Sequence, residues 1–248
     1  MPHDLFSLSG RKALVTGANT GIGQAIACAL AAQGAEVVCA GRRPCTDTVQ
    51  KITAAGGQAE DMRLDFADPM AAMDVFSGAG FDLLINNAGI IRREDCVNYS
   101  EADWDAVIDV NQKALFFTCQ AFGRELIARG TGGAIVNIAS LLSFQGGIRV
   151  PAYTASKHAV AGITKSLANE WAPHGITVNA IAPGYIATNN TEALRNDPAR
   201  NDAILARIPA GRWGEPSDIG GTAAYLCSKA ARYVTGAVIN VDGGWLAR

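Results

Sequence analysis

A glycine-rich turn near the start of the chain constrains its folding more than any other feature. Thr16-Gly17-Ala18-Asn19-Thr20-Gly21-Ile22-Gly23 follows the apolar run Ala13-Leu14-Val15 and opens a helical pattern. Gly17, Gly21 and Gly23 permit a tight turn, close approach of backbone to a phosphate, and close packing of helix on strand. The first amides of a helix lack intrahelical partners and sit at the positive end of its dipole, so this turn suits a pyrophosphate. Asn19, Thr20 and Ile22 share the turn and are expected to line the same site.

The rest of the chain repeats the strand–helix rhythm. Glu36 to Ala40, Asp82 to Ile85, Ala134 to Ile138, Thr177 to Ile181 and Val238 to Val241 read as buried strands. Helical patterns lie near 21–33, 69–77, 101–129, 152–172 and 216–228. This alternation predicts an α/β fold, a Rossmann-like, doubly wound parallel sheet flanked by helices on both faces. No linker, internal repeat or low-complexity tract interrupts it, so 1–248 is expected to form a single domain. With 49% hydrophobic and 18% charged residues, the chain has the apolar content for a sizeable core. A polar stretch near 184–214, with Asn189-Asn190, Asp197-Pro198 and Pro209, breaks the rhythm after a strand end. Ligands bind at strand ends in such sheets, so this insertion is expected to be a substrate loop.

Charge and cysteine usage exclude several functions. The formal net charge is -2, and basic residues cluster only as Arg11-Lys12, Arg42-Arg43 and Arg92-Arg93, so nucleic-acid binding is not expected. Six cysteines without a CxxC pair, and three histidines, argue against a zinc site or a disulfide framework. No metal is expected. Met1 to Arg11 lacks a basic segment followed by a long apolar one, and no run of about 18 apolar residues follows, so neither a signal peptide nor a membrane span is expected. The expected location is cytoplasmic.

The end of the second strand bears on the cofactor. Sites that prefer NAD usually place an acid about 20 residues past the glycine turn to bond the ribose hydroxyls. Here Gly41 stands eighteen residues after Gly23 and is followed by Arg42 and Arg43. Without the acid nothing repels a 2′-phosphate, and a guanidinium can clamp it. NADP(H) is therefore favoured over NAD(H), although two arginines capping a strand would read the same way. Asp65 offers a carboxylate to an adenine amino group. Asn87, Ala88 and Gly89 end a strand with small residues that let the chain pass a cofactor.

Tyr153 and Lys157 stand four residues apart on a helical stretch, so their side chains share one face. A phenol beside an ammonium, downstream of a nucleotide turn, points to proton transfer coupled to hydride transfer. Ser140 lies thirteen residues before Tyr153, and Asn111 lies farther upstream. From Thr16-Gly17 through Asn86-Asn87-Ala88-Gly89, Asn111, Ser140, Tyr153-x-x-x-Lys157 and Pro183-Gly184 to Asp242-Gly243-Gly244, the chain resembles the short-chain dehydrogenase/reductase family. The resemblance implies that Tyr153 exchanges a proton with the substrate oxygen and that Ser140 holds that oxygen. It implies that Asn111 holds a relay water and that Lys157 reaches the nicotinamide ribose. It also adds Pro183, Gly184, Ile186 and Thr188 to the cofactor residues. The Lys157 ammonium and the oxidised nicotinamide are expected to lower the Tyr153 pKa from its ordinary value near 10.

Loop segments 90–95, 143–151, 182–191 and 208–214, with the tail Trp245-Leu246-Ala247-Arg248, carry a narrower resemblance. They are similar to those of the 2-dehydro-3-deoxy-D-gluconate 5-dehydrogenase group, also called 2-deoxy-D-gluconate 3-dehydrogenases. That implies alcohol–ketone interconversion on a six-carbon sugar acid. The loops hold Arg92, Arg93, Arg149 and Arg212 for a carboxylate, and Gln145, Asn189 and Asn190 for hydroxyls. Arg149 is the first choice for the carboxylate and Arg92 the second. For each arginine an ion pair on the surface or between subunits is the competing reading. A gluconate 5-dehydrogenase, a 3-oxoacyl-carrier-protein reductase, or a nonenzymatic dinucleotide-binding redox sensor are the alternative functions. The family usually assembles through its long helices and last strand, so a homotetramer is expected.

Overall fold

Each strand in the sheet sends successive side chains to opposite faces, and here both faces are apolar. The computed structural model describes residues 5–248 and shows seven parallel strands in the order β3-β2-β1-β4-β5-β6-β7. They are β1 (Lys12–Thr16), β2 (Glu36–Gly41), β3 (Gln58–Arg63), β4 (Leu83–Asn86), β5 (Gly133–Ile138), β6 (Ile176–Pro183) and β7 (Val238–Val241). Ala13, Val15, Val37, Cys39, Leu83, Ile85, Val136 and Ile181 face one layer. It is formed by α1 (Gly21–Ala32) and α8 (Pro216–Cys227). Leu14, Val38, Leu84, Ile135, Val178 and Ala180 face the other. There α4 (Leu115–Arg129) supplies Phe122 and Leu126, and α5 (Pro151–Trp171) supplies Val160, Leu167 and Trp171. This is a doubly wound, Rossmann-like α/β fold.

The strand order reverses direction between β1 and β4, which lie side by side. Their connections leave on opposite sides, opening a crevice at the carboxyl ends of the strands. Both the glycine turn and Asn86-Asn87-Ala88-Gly89 emerge into it.

Three local readings need correction. Residues 69–77 do not form a helix but a chain of tight turns, with Met73 N–H donating to Met70 O and Val75 N–H to Ala72 O. Burial of Phe76 against Phe81 and Phe122 fixes this segment, overriding its helical periodicity. The edge strand β3 escaped notice because Gln-Ala-Glu-Asp-Met-Arg carries no buried residue and pairs on one side only. The helix α2 (Thr46–Ala54) escaped notice because it buries only Thr48 and Ile52. The stretch 101–129 is helical as expected but composite: α3 (Glu101–Ile108), a π turn Asp109–Ala114, then α4. In the insertion 184–214 lie two short helices, α6 (Glu192–Arg195) and α7 (Pro198–Leu205).

Phe122 is fully buried and meets Phe76 edge-on at 5.3 Å. Phe122→Ala is expected to cost about 3–5 kcal/mol by transfer and cavity terms. Urea unfolding monitored by circular dichroism measures this, and a loss under about 1 kcal/mol would contradict the packing described.

Candidate active site

The glycine turn is tied to the end of β4. Thr16 Oγ1 donates to Ile85 O at 3.2 Å and accepts the amides of Asn87 and Ala88 at 2.9 and 3.0 Å. The Asn87 side-chain amide donates two bonds in return, to Thr16 O and Gly17 O. Gly17 has φ 64° and Gly23 packs so tightly that a Cβ there would overlap Gly17 O and the Asn87 amide. These glycines are therefore required by the turn itself. Thr20 precedes α1 without capping it through its side chain, and no acid occupies the first helical turn. The helix N-terminus is left open to an anion.

A cleft of about 540 Å³ lies over this turn. Gly17, Asn19, Thr20, Gly21 and Ile22 line its floor, and Arg42, Arg43 and Asp65 line one end. Asn87, Ala88, Gly89, Arg92, Thr188, Asn189 and Asn190 line the remainder. Thr188, on the insertion, sits over Gly21, where an added Cβ would lie 3.4 Å from its methyl. The donor set fits a dinucleotide phosphate: open helix amides at the turn, and two exposed arginines, Asp65 and Asp109 being the acids of the cleft lining. Pro183, Gly184 and Ile186 do not line this cleft. Gly184 and Ile186 border a separate cavity of about 210 Å³, and the Ile186 side chain is buried in the core.

Next to the cleft, α5 begins at Pro151 and presents Tyr153 and Lys157 one turn apart. Lys157 is buried, with Nζ donating to Ile138 O at 2.6 Å and lying 5.5 Å from the Tyr153 ring centre. Burial lowers its pKa to about 8. Ser140, which follows β5, accepts the Leu142 amide and lies near enough to Tyr153 to act on its phenol. Burial pushes the phenol up, outweighing the Ser140 bond and the charge of Arg93, which both pull it down. The lowering expected from sequence is thus not a property of the protein alone.

Asn111 sits in the π turn, and its amide is fully engaged. Oδ1 accepts Ile90 N–H at 2.8 Å, while Nδ2 donates to Ile90 O and to Ser156 Oγ. Ser156 in turn donates to Tyr153 O. Asn111 therefore links the cleft wall to the helix carrying Tyr153 and Lys157. Ser156 was missed in the sequence, because a serine inside a helix carries no signal until its partner is known.

The loop arginines separate on contact. Arg92 lines the cleft and pairs with Asp103 at 3.2 Å. Arg149, the first choice for a carboxylate, is turned onto Glu94 and Asp95. Arg212 forms a two-pronged pair with Asp218 at 2.7 and 3.0 Å. Arg93 differs. It donates to Asn190 O at 3.2 Å, acts electrostatically on Tyr153, and among the described residues has no carboxylate within ion-pair distance. Gln145 accepts a bond from the Trp245 indole at 3.4 Å. Among the described residues no three His, Cys, Asp or Glu side chains gather to hold a metal ion.

A family model described as enoyl-(acyl carrier protein) reductase matches residues 17–246. This chain belongs to the short-chain dehydrogenase/reductase family. As a member of that family it is an NAD(P)-dependent oxidoreductase acting on CH–OH groups. It is similar to the 2-dehydro-3-deoxy-D-gluconate 5-dehydrogenase of Bacillus subtilis strain 168, with 54% identity across 99% of this chain and 98% of the relative. The enzyme of that name from Escherichia coli K12 is 52% identical over 98% of each chain. A crystal structure from Agrobacterium tumefaciens, of a candidate 2-deoxy-D-gluconate 3-dehydrogenase with NADP bound, is 70% identical. It superposes with a TM-score of 0.98, covering 99% of this chain and 100% of the other.

Because burial dominates at Tyr153, its phenol stays protonated through neutral pH in the cofactor-free protein. An ultraviolet difference titration of wild type against Tyr153→Phe is expected to place its midpoint above the ordinary tyrosine value near 10. A midpoint below that value would contradict the dominance of burial.

Proposed function

We propose that this protein interconverts a secondary alcohol and a ketone on a deoxy or keto sugar acid, with NADP(H) as the favoured hydride carrier. 2-Dehydro-3-deoxy-D-gluconate and 2-deoxy-D-gluconate, the compounds named in its relatives, are the leading substrates. The observation that carries the reading is Arg93, an exposed cation with no carboxylate in ion-pair distance among the described residues, whose charge acts on the Tyr153 phenol. An uncompensated guanidinium there suits a substrate that brings its own carboxylate. An acyl chain on a carrier protein offers none.

The bound nicotinamide supplies or accepts the hydride. Tyr153 donates the proton to the substrate oxygen during reduction and takes it back during oxidation. Ser140, which acts on the phenol, holds the same oxygen. Lys157, its pKa lowered to about 8 by burial, would bond the nicotinamide ribose and pass a proton onward. Since both polar ends of the Asn111 amide are engaged, a relay water would be held by the main chain of its π turn. The insertion 184–214 forms the substrate loop, with Asn189 and Asn190 facing hydroxyls. Arg42 and Arg43 clamp the 2′-phosphate, and Asp65 faces the adenine.

We infer a homotetramer in the cytoplasm. The half-exposed apolar edge of β7 and the partly buried Phe116 and Phe117 on α4 offer faces to a second copy. No described helix is long and apolar enough to cross a membrane.

Screening sugar acids with both cofactors, following reduced nicotinamide absorbance, tests the reading. Turnover is expected with a six-carbon keto sugar acid, and Tyr153→Phe should keep less than about a hundredth of it. Activity confined to acyl thioesters would overturn the assignment. Arg42→Ala with Arg43→Ala should raise the Michaelis constant for NADPH by about tenfold or more, in line with the loss of a charge-assisted clamp, and spare NADH. An equal effect on both cofactors would remove the phosphate role.

A further inference from the structure

Among the described residues, Arg149 is the one non-glycine residue with a left-handed backbone, at φ 64°. A side-chain-bearing residue is strained there and stays only where surrounding contacts over-determine it. All of those contacts reach one segment. Arg149 Nε lies 3.0 Å from Asp95 Oδ1, and its terminal nitrogen lies 3.5 Å from Glu94 Oε1. Its carbonyl accepts the Glu94 amide at 3.1 Å, while Glu94 Oε1 also accepts the Asp95 amide at 2.7 Å.

What this buckle joins gives it meaning. Two residues beyond Arg149, Pro151 starts the helix whose first turn bears Tyr153. One residue before Glu94 stands Arg93, whose guanidinium spans to Asn190 O on the substrate loop. Exposed ion pairs are individually weak. Two of them combined with a main-chain bond on a single strained residue leave little freedom between the two segments.

We propose that Arg149 is a positioning residue, which clamps the segment carrying Arg93 to the start of the Tyr153 helix. It thereby sets the spacing between the site of the substrate carboxylate and the reacting carbon. This rests on the reading of Arg93 as the carboxylate partner given above. Arg149 then acts on the substrate through Arg93 and does not touch it.

Steady-state constants for the sugar acid and for NADPH test this in three variants: Arg149→Gly, the pair Glu94→Gln with Asp95→Asn, and Arg93→Ala. Glycine adopts the left-handed backbone freely, so the first variant keeps the fold while losing the clamp. Arg149→Gly and the Glu94/Asp95 pair should each raise the sugar-acid Michaelis constant at least fivefold, with that for NADPH unchanged. Joining them should add nothing further, since both cut the same link. A role confined to folding would shift the thermal midpoint without that split between the two Michaelis constants, and would overturn the proposal. A rise with Arg149→Gly but none with the Glu94/Asp95 pair would mean direct contact and would also overturn it. If Arg93→Ala raises the constant while both clamp variants leave it unchanged, the clamp alone fails. If Arg93→Ala leaves it unchanged, the carboxylate reading fails and takes the clamp with it.

Discussion

The hydroxyl of Thr16 holds together the point on which this structure turns. It sits at the end of β1, where the strand order reverses, and satisfies the amides of Asn87 and Ala88 from the end of β4. Two strands that diverge to opposite flanks would otherwise leave unpaired amides at the base of an open crevice. Each such bond contributes about 0.5–1.5 kcal/mol net, and an orphaned buried amide costs more. Fixing the two strand ends together fixes the glycine turn, the open amides of α1, and the cleft above them.

The surroundings of Tyr153 and Lys157 are a consequence of the other layer. Lys157 and Tyr153 lie on α5, which must bury Val160, Leu167 and Trp171 against the sheet. That burial takes the ammonium and phenol out of water, lowering one pKa and raising the other. Ile138 O, Ser140 and Arg93 compensate from three different segments. The protein alone thus favours the protonated phenol.

The loops show how pairing sorts residues of one type. Arg92, Arg149 and Arg212 each meet a carboxylate of the same chain, and Arg93 does not. Neighbouring carboxylates, not the presence of arginine, decide which of these cations stays without an ion pair. The aromatic group Tyr185, Trp213 and Trp245, with Arg207 over the Trp245 ring, braces the insertion from the C-terminal side. Gln145 is drawn into that brace by the Trp245 indole.

The amino-acid sequence by itself determined the parallel sheet, because six of its strands are short apolar runs alternating with helical patterns, and five of those runs are buried in the sheet. It also placed Tyr153 and Lys157 together, since residues four apart on a helix are neighbours whatever the fold, and it located the glycine turn. It did not reveal β3, whose polar residues need only one partner strand, nor the turns at 69–77, where contact with Phe122 outweighs local periodicity. Only the tertiary structure decided which of four loop arginines keeps a free charge, and that Arg149 faces Glu94 and Asp95. Those pairings join residues some fifty positions apart, and no local pattern encodes which carboxylate a flexible guanidinium will reach.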